Sequence, residues 1–180
     1  MNKQDIERVL ISEQELDEIA KRLGAQISAD YEGKELLLVC VLKGSVSFMS
    51  DLMRNITCDC KIDFISVSSY QGAQTTGVLT YKKDLDCDPE GKDILIVEDI
   101  IDSGVTLYNL RAHFEARNAA SVKICTCLDK PENRKIDISA DYVGVEVPNE
   151  FVVGYGLDYN EAYRNLPFVG ILSEKVYSGK

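Results

Sequence analysis

The 180-residue chain has no tryptophan and one histidine, His113. A Ser-His-Asp or Cys-His site would have to use that histidine. It stands beside Leu110 and Phe114, with no acid or nucleophile at a suggestive spacing, and reads as a packed or partly exposed helix residue. No CxxC occurs among the six cysteines, Cys40, Cys58, Cys60, Cys87, Cys125 and Cys127. Paired zinc spacing is therefore absent, and the thiols are expected to be small buried hydrophobes in a reducing compartment. GxGxxG and GxxxxGK[ST] are also missing, which weakens dinucleotide and P-loop readings. The longest apolar run, Leu36 to Leu42, has seven residues, far short of the roughly twenty that span a bilayer. The N-terminus has early acids and no apolar h-region, so a signal peptide is not expected and a cytoplasmic location is. Basic residues are in deficit: 20 Lys and Arg against 30 Asp and Glu leave a net charge of −10. That balance disfavours a general nucleic-acid or anionic-membrane binder.

What is present describes one soluble domain with an ordinary apolar share of 45%. Ser12 to Glu15 forms a capping box, and Leu16, Ile19, Leu23 and Ile27 then recur on one helix face. Leu36 to Leu42 reads as a buried strand, broken by Lys43-Gly44-Ser45 before a helix marked by Phe48, Leu52 and Met53. Strands are expected at Ile62 to Ser69, Ile94 to Val97 and Val122 to Leu128, with a helix from about Thr106. Further strands are expected at Tyr142 to Val147, Phe151 to Val153 and Phe168 to Leu172. Buried strands alternating with helices give an α/β domain with a mostly parallel sheet. The strand-rich C-terminal part breaks the alternation and reads as a cap or edge addition.

Ligands of open parallel sheets bind beyond the carboxyl ends of the strands. The strand Ile94 to Val97 runs into Glu98-Asp99-Ile100-Ile101-Asp102-Ser103-Gly104-Val105-Thr106, and a helix follows. Ser103 and Thr106 supply hydroxyls, Gly104 allows a close backbone turn, and the helix start presents free amides. Together they make a small site for a terminal phosphate. Glu98 and Asp99 just before it suit diol hydroxyls or a hydrated Mg²⁺. The implied ligand is a phosphorylated sugar with a metal. Its bland alternative is a polar loop with an ordinary helix cap.

Residues 94–107, ILIVEDIIDSGVTL, resemble the phosphoribosyl-pyrophosphate (PRPP) signature of type I phosphoribosyltransferases, in a bacterial-like hypoxanthine-guanine form. LKGS at 42–45, SSYQG at 68–72, LDK at 128–130 and EFVVGYGLDYNEAYRNLP at 150–167 agree with that subgroup, in the expected order from Leu36 to Leu172. The resemblance implies the type I phosphoribosyltransferase fold, a mostly parallel sheet flanked by helices in a single domain over 1–180. The core would span about 34–147, and a small hood would come from 1–33 and 148–180.

The same resemblance implies purine salvage: transfer of phosphoribosyl from PRPP to hypoxanthine or guanine, with Mg²⁺ as cofactor and IMP or GMP and pyrophosphate as products. Asp102 matches the general base for purine N7, and a carboxylate need only lie within hydrogen-bond reach of the proton. Glu98 and Asp99 match the acids that hold the ribose hydroxyls, directly or through metal. Asp102, Ser103, Gly104, Val105 and Thr106 match the 5′-phosphate loop. Lys43 and Gly44 match a pyrophosphate loop with a non-proline cis peptide, and Arg164 a pyrophosphate contact. Lys130, Phe151, Val152 and Asp158 match the purine side; Lys130 would donate to a 6-oxo group, Phe151 would stack, and Asp158 would also face a second Mg²⁺. A donor-only lysine disfavours adenine. Residues 69–80, with Ser69 and Tyr70, match a loop that closes over the site. Ser45 and Val105 depart from relatives that carry glycine and lysine there, which bears on PRPP affinity.

Taken singly, Lys130 could be a turn lysine, Phe151 core, and Asp158 with Arg164 a surface ion pair. Competing functions are transfer to another base such as xanthine, or a nucleotide-binding regulatory relative that contacts RNA and would need a basic face. The expected partners are small molecules (PRPP, a 6-oxopurine, pyrophosphate), with no nucleic acid and no membrane. The family also suggests a homo-oligomer, dimer or tetramer.

Overall fold

The computed structural model describes residues 5–69 and 79–178; of Ser69 only the backbone is described. In chain order the elements are β1 (Ile6–Ile11), α1 (Glu13–Asp30), β2 (Leu36–Val41), α2 (Val46–Met53), β3 (Cys60–Ser69), β4 (Leu79–Lys83) and β5 (Asp93–Ile101). They continue with α3 (Val105–Glu115), β6 (Ser121–Asp129), β7 (Tyr142–Glu146), β8 (Val152–Val153), β9 (Val169–Leu172) and α4 (Glu174–Tyr177). A short 3-10 turn, Pro131–Asn133, follows β6.

The main sheet has six strands in the order β4-β3-β2-β5-β6-β7. Its pairs are parallel except β3 with the edge strand β4. β2 is buried along its whole length, which is why its sequence shows no polar alternation. Successive side chains still take opposite faces. Leu36, Leu38 and Cys40 pack toward α1 and α2 with Leu16, Leu23, Ile27, Phe48 and Leu52. Leu37, Val39 and Val41 pack toward α3 with Leu107, Leu110 and Phe114.

The small antiparallel sheet β1-β9-β8 forms the hood, with its own core of Val153, Tyr163, Leu166 and Leu172. Among the described residues up to Gly33, β1 is the element that joins it. α1 packs instead on α2 and against β7 of the main sheet, because its apolar stripe of Leu16, Ala20, Leu23 and Ile27 fits the sheet face. The capping box at Ser12 and Glu15 is present in both directions. β1 is exposed at Glu7, Arg8 and Val9 and β4 at Thr80, Tyr81 and Lys82, and neither gives a strand pattern in sequence.

Cys40, Cys125 and Cys127 are buried, and the other three cysteines are half-buried; all are free thiols. Burial pushes the Cys40 thiol up to about 12, with Cys125 and Cys127 also raised, so they stay protonated and inert. His113 lies on α3 with its ring 4.6 Å from that of Tyr81 on β4. Among the described residues no helix is long and apolar enough to cross a membrane.

Candidate active site

β2 and β5 are paired neighbours, and the last β2–β5 partners are Cys40 and Val97. Beyond that point β5 continues to Ile101 on β6 alone, so Glu98 and Asp99 lie within the strand rather than after it. β2 ends at Val41, and the Leu42–Lys43 peptide that follows is cis. The chain then turns across the space that the parted strands leave open.

Gly44 lies directly on the Asp99 carboxylate: a Cβ at Gly44 would meet Asp99 Oδ2 at 1.6 Å. Ser45 is buried, and its hydroxyl ties the two segments together. It donates to Glu98 Oε2 at 3.1 Å and accepts from the Asp99 amide at 3.1 Å. Desolvation, then the neighbouring Asp99 charge, pushes the Glu98 carboxyl well above the usual carboxylate range. Desolvation also lifts Asp99 to about 6, opposed by the amides of Ile100 and Asp99 and by the Arg164 charge. Two adjacent carboxyls resisting ionisation mark a place suited to a cation. Among the described residues, however, no group of three or more His, Cys, Asp or Glu side chains forms a metal cage.

A cavity of about 290 Å³ gathers Lys43, Gly44, Glu98, Asp99, Thr106, Asp158 and Arg164. Arg164 pairs with Asp158 Oδ1 at 2.8 Å and donates to the Gly156 carbonyl at 2.8 Å. Its buried Nε has no partner among the described residues, leaving a donor for an anion. Lys43 is held at the rim by Glu161 at 2.8 Å. A second, adjoining cavity of about 80 Å³ is lined by Glu98, Asp102, Ser103, Gly104 and Thr106. Gly104 caps α3 at φ +81°, with Ile138 filling the space where a side chain would go, so glycine is required there. Val105 opens the helix, and its amide points at Ser103 Oγ from 3.5 Å.

Lys130, Phe151 and Val152 line neither cavity but lie next to one another. Lys130 is buried, and its ammonium donates to the Glu150 carbonyl at 3.0 Å. Val152 is buried in β8. Phe151 is 39% exposed, with Tyr177 stacked on its ring at 5.1 Å and Tyr159 edge-on at 5.7 Å. The Ser69 backbone pairs with Leu79. Tyr70 and residues 71–78 of the expected closing loop lie outside the described residues.

The model of the phosphoribosyl transferase domain matches residues 6–160. The chain is 54% identical to the hypoxanthine-guanine phosphoribosyltransferase of Streptococcus pneumoniae over 179 residues, 99% of each chain. It is 55% identical to that of Streptococcus mutans over the same coverage. It belongs to the hypoxanthine-guanine phosphoribosyltransferase family. Among solved structures it is similar to a hypoxanthine phosphoribosyltransferase from Staphylococcus aureus, with TM-score 0.94 and 50% identity over 97% of this chain and 95% of that one.

The fold expected from the resemblance is the one found: a central, mostly parallel sheet with helices and a terminal hood, as in other phosphoribosyltransferases of this family. Sequence reasoning missed Ser45 as a bridge, Asn133 and Arg134 beside the 102–104 loop, and Gly156 against Gly44. The close Gly154 and Gly156 pair was the one available hint. Both have positive φ, at +97° and +102°.

Proposed function

We propose that this chain transfers the 5-phosphoribosyl group from PRPP to hypoxanthine or guanine, giving IMP or GMP and pyrophosphate. The observation carrying the reading is the half-buried Glu98–Asp99 pair, set between a loop at Lys43-Gly44 and a helix-capping loop at 102–106, with both acids lining one cavity and Glu98 the adjoining one. The 5′-phosphate is assigned to Ser103, Gly104, Val105 and Thr106, where α3 presents its first amides. Lys43, Gly44 and Arg164 are assigned to the pyrophosphate end, the free Arg164 Nε serving as a donor.

Glu98 and Asp99 are assigned to the ribose hydroxyls and, with Asp158, to Mg²⁺. Magnesium would neutralise the leaving pyrophosphate, with substrate oxygens and water completing the set that these carboxylates begin. Lys130 is assigned to the 6-oxo group, Phe151 to stacking on the base and Val152 to a backbone contact at its edge. The N9–C1′ bond forms as the C1′–oxygen bond to pyrophosphate breaks, its electron pair leaving with pyrophosphate. Asp102 accepts the N7 proton. Holding the reactants in line accounts for most of the rate.

Six free thiols suit a reducing compartment, and we assign the reaction to the cytoplasm. A homo-oligomer, dimer or tetramer, belongs to the same reading and is measured by light scattering. The deciding experiment offers the protein PRPP, Mg²⁺ and each nucleobase separately and follows nucleotide formation. Turnover with hypoxanthine and guanine but not adenine is expected. No turnover with either 6-oxopurine would overturn the reading.

A further inference from the structure

The Asp102 carboxylate sits between the end of β5 and the cap of α3, and neither element supplies it with a side-chain partner. Its partner comes from the turn after β6. The Asn133 amide donates to Asp102 Oδ1, and among the described residues it is the one side chain that donates to this carboxylate. The adjacent residues continue the attachment. Arg134 Nη1 donates to the Asp102 carbonyl at 3.1 Å, and the Lys135 amide donates to the Ser103 carbonyl at 3.0 Å.

We infer that Asn133 is a positioning residue that fixes the Asp102 carboxylate as proton acceptor. The inference rests on the assignment of Asp102 as the base in the proposed function. An aspartate side chain has two rotatable bonds, whereas proton transfer demands a heavy-atom reach of about 2.6–3.2 Å. With Oδ1 engaged by the amide, Oδ2 is left to face the ligand.

The choice of an uncharged donor has a consequence. Arg134 is the nearest cation in sequence, but its guanidinium is drawn to the Asp129 carboxylate and touches Asp102 only at the main chain. A guanidinium fork on the carboxylate would engage both its oxygens, whereas a single amide orients it through one and leaves the other open. Across the 80 Å³ cavity the carboxylate shares its lining with Glu98. Lys130 begins the turn that Asn133 ends: the Lys130 amide binds the Ile101 carbonyl at 2.9 Å, and the Asn133 amide faces the Lys130 carbonyl at 3.3 Å. The residue assigned to read the 6-oxo group and the one holding the proton acceptor therefore share one rigid turn.

The test measures single-turnover nucleotide formation from PRPP and hypoxanthine, and the steady-state KM for PRPP, for the unaltered protein and for Asn133→Ala, Asn133→Asp and Asp102→Asn. Asn133→Ala is expected to slow the chemical step about tenfold, with the KM for PRPP within about twofold. Asn133→Asp keeps the size but puts an acceptor where the donor stood, so it should slow the step further. A merely structural role would lower the melting temperature and move rate and KM together. Unchanged rate in both variants, with Asp102→Asn inactive, overturns the inference and leaves the base assignment standing. Full activity in Asp102→Asn overturns both.

Discussion

Gly156 lies against Gly44: a side chain at 156 would meet the Gly44 carbonyl oxygen at 1.8 Å, at a φ of +102°. Gly44 in turn lies on Asp99. Three chain segments, 154–158, 43–45 and 98–99, are thus stacked with no side chain between the first two and only a carboxylate between the last two. The close fit brings Asp158 and Arg164 to the same cavity as the β5 acids.

Gly44→Ala must therefore displace either the Asp99 carboxylate or the loop. A shift on the order of 1 Å at such a site costs about a hundredfold in rate. The expected outcome is that loss in kcat/KM for PRPP, with a far-ultraviolet dichroism spectrum like that of the unaltered protein. Activity within twofold of normal would show that the 43–45 loop can yield.

Glu98, Asp99 and Asp158 form no closed metal cage among the described residues, so Mg²⁺ and PRPP should stabilise the protein together and weakly apart. At about 100 times Kd the pair should contribute about 2.7 kcal/mol, read as a rise in melting temperature that a chelator removes. Glu98→Gln and Asp99→Asn should each abolish most of the increment. An equal rise from Mg²⁺ without PRPP would show that the carboxylates hold the metal without substrate oxygens.

Lys130→Met keeps the length of the side chain and removes the donor. A hydrogen bond from a charged group is worth about 1.5–3 kcal/mol, or roughly 10- to 100-fold. The KM for hypoxanthine and guanine should rise by that factor while the KM for PRPP stays put. Equal rises for both substrates would make Lys130 a structural residue of the 130–133 turn.

Asp63 gives a pH test away from the site. Burial alone would raise its carboxyl, but the amides of Phe64 at 2.7 Å and Asp86 at 2.8 Å, with the Lys83 charge at 3.4 Å, outweigh burial and lower it. A carboxyl lowered on folding lends stability above its unfolded value near 3.9 and loses it as pH falls through the folded one. Asp63→Asn should cost about 2 kcal/mol near pH 7 by urea denaturation. The difference should narrow below about pH 4. A constant difference across that range would assign the effect to packing.

Legibility followed the range of the forces involved. The β2 run and the α1 stripe were readable because burial writes itself into local pattern, an unbroken apolar run in one and a repeat of about 3.6 residues in the other. β1 was not: its exposed Glu7, Arg8 and Val9 carry no alternation, and its partner β9 lies some 160 residues on. The motif at 98–106 was readable because strand end, acids and helix start are contiguous. Asn133 was not, since nothing in PEN announces that its amide will reach back to Asp102. Ser45 read as a departure from its relatives' glycine, and only the folded loop brings its hydroxyl between Glu98 and Asp99.

The central place of β2 sets a timescale for isotope exchange. The ladder joining Leu38–Cys40 to β3 and β5 is buried on both faces, so these amides should exchange only when the whole domain opens. Glu98 and Asp99 stand on the next two residues of β5, and the phosphate half of the cleft inherits that slowness. The base half hangs from β8, a strand of two residues in a three-stranded sheet. Deuterium should enter there first, dividing the cleft into a half that keeps its protons and a half that trades them.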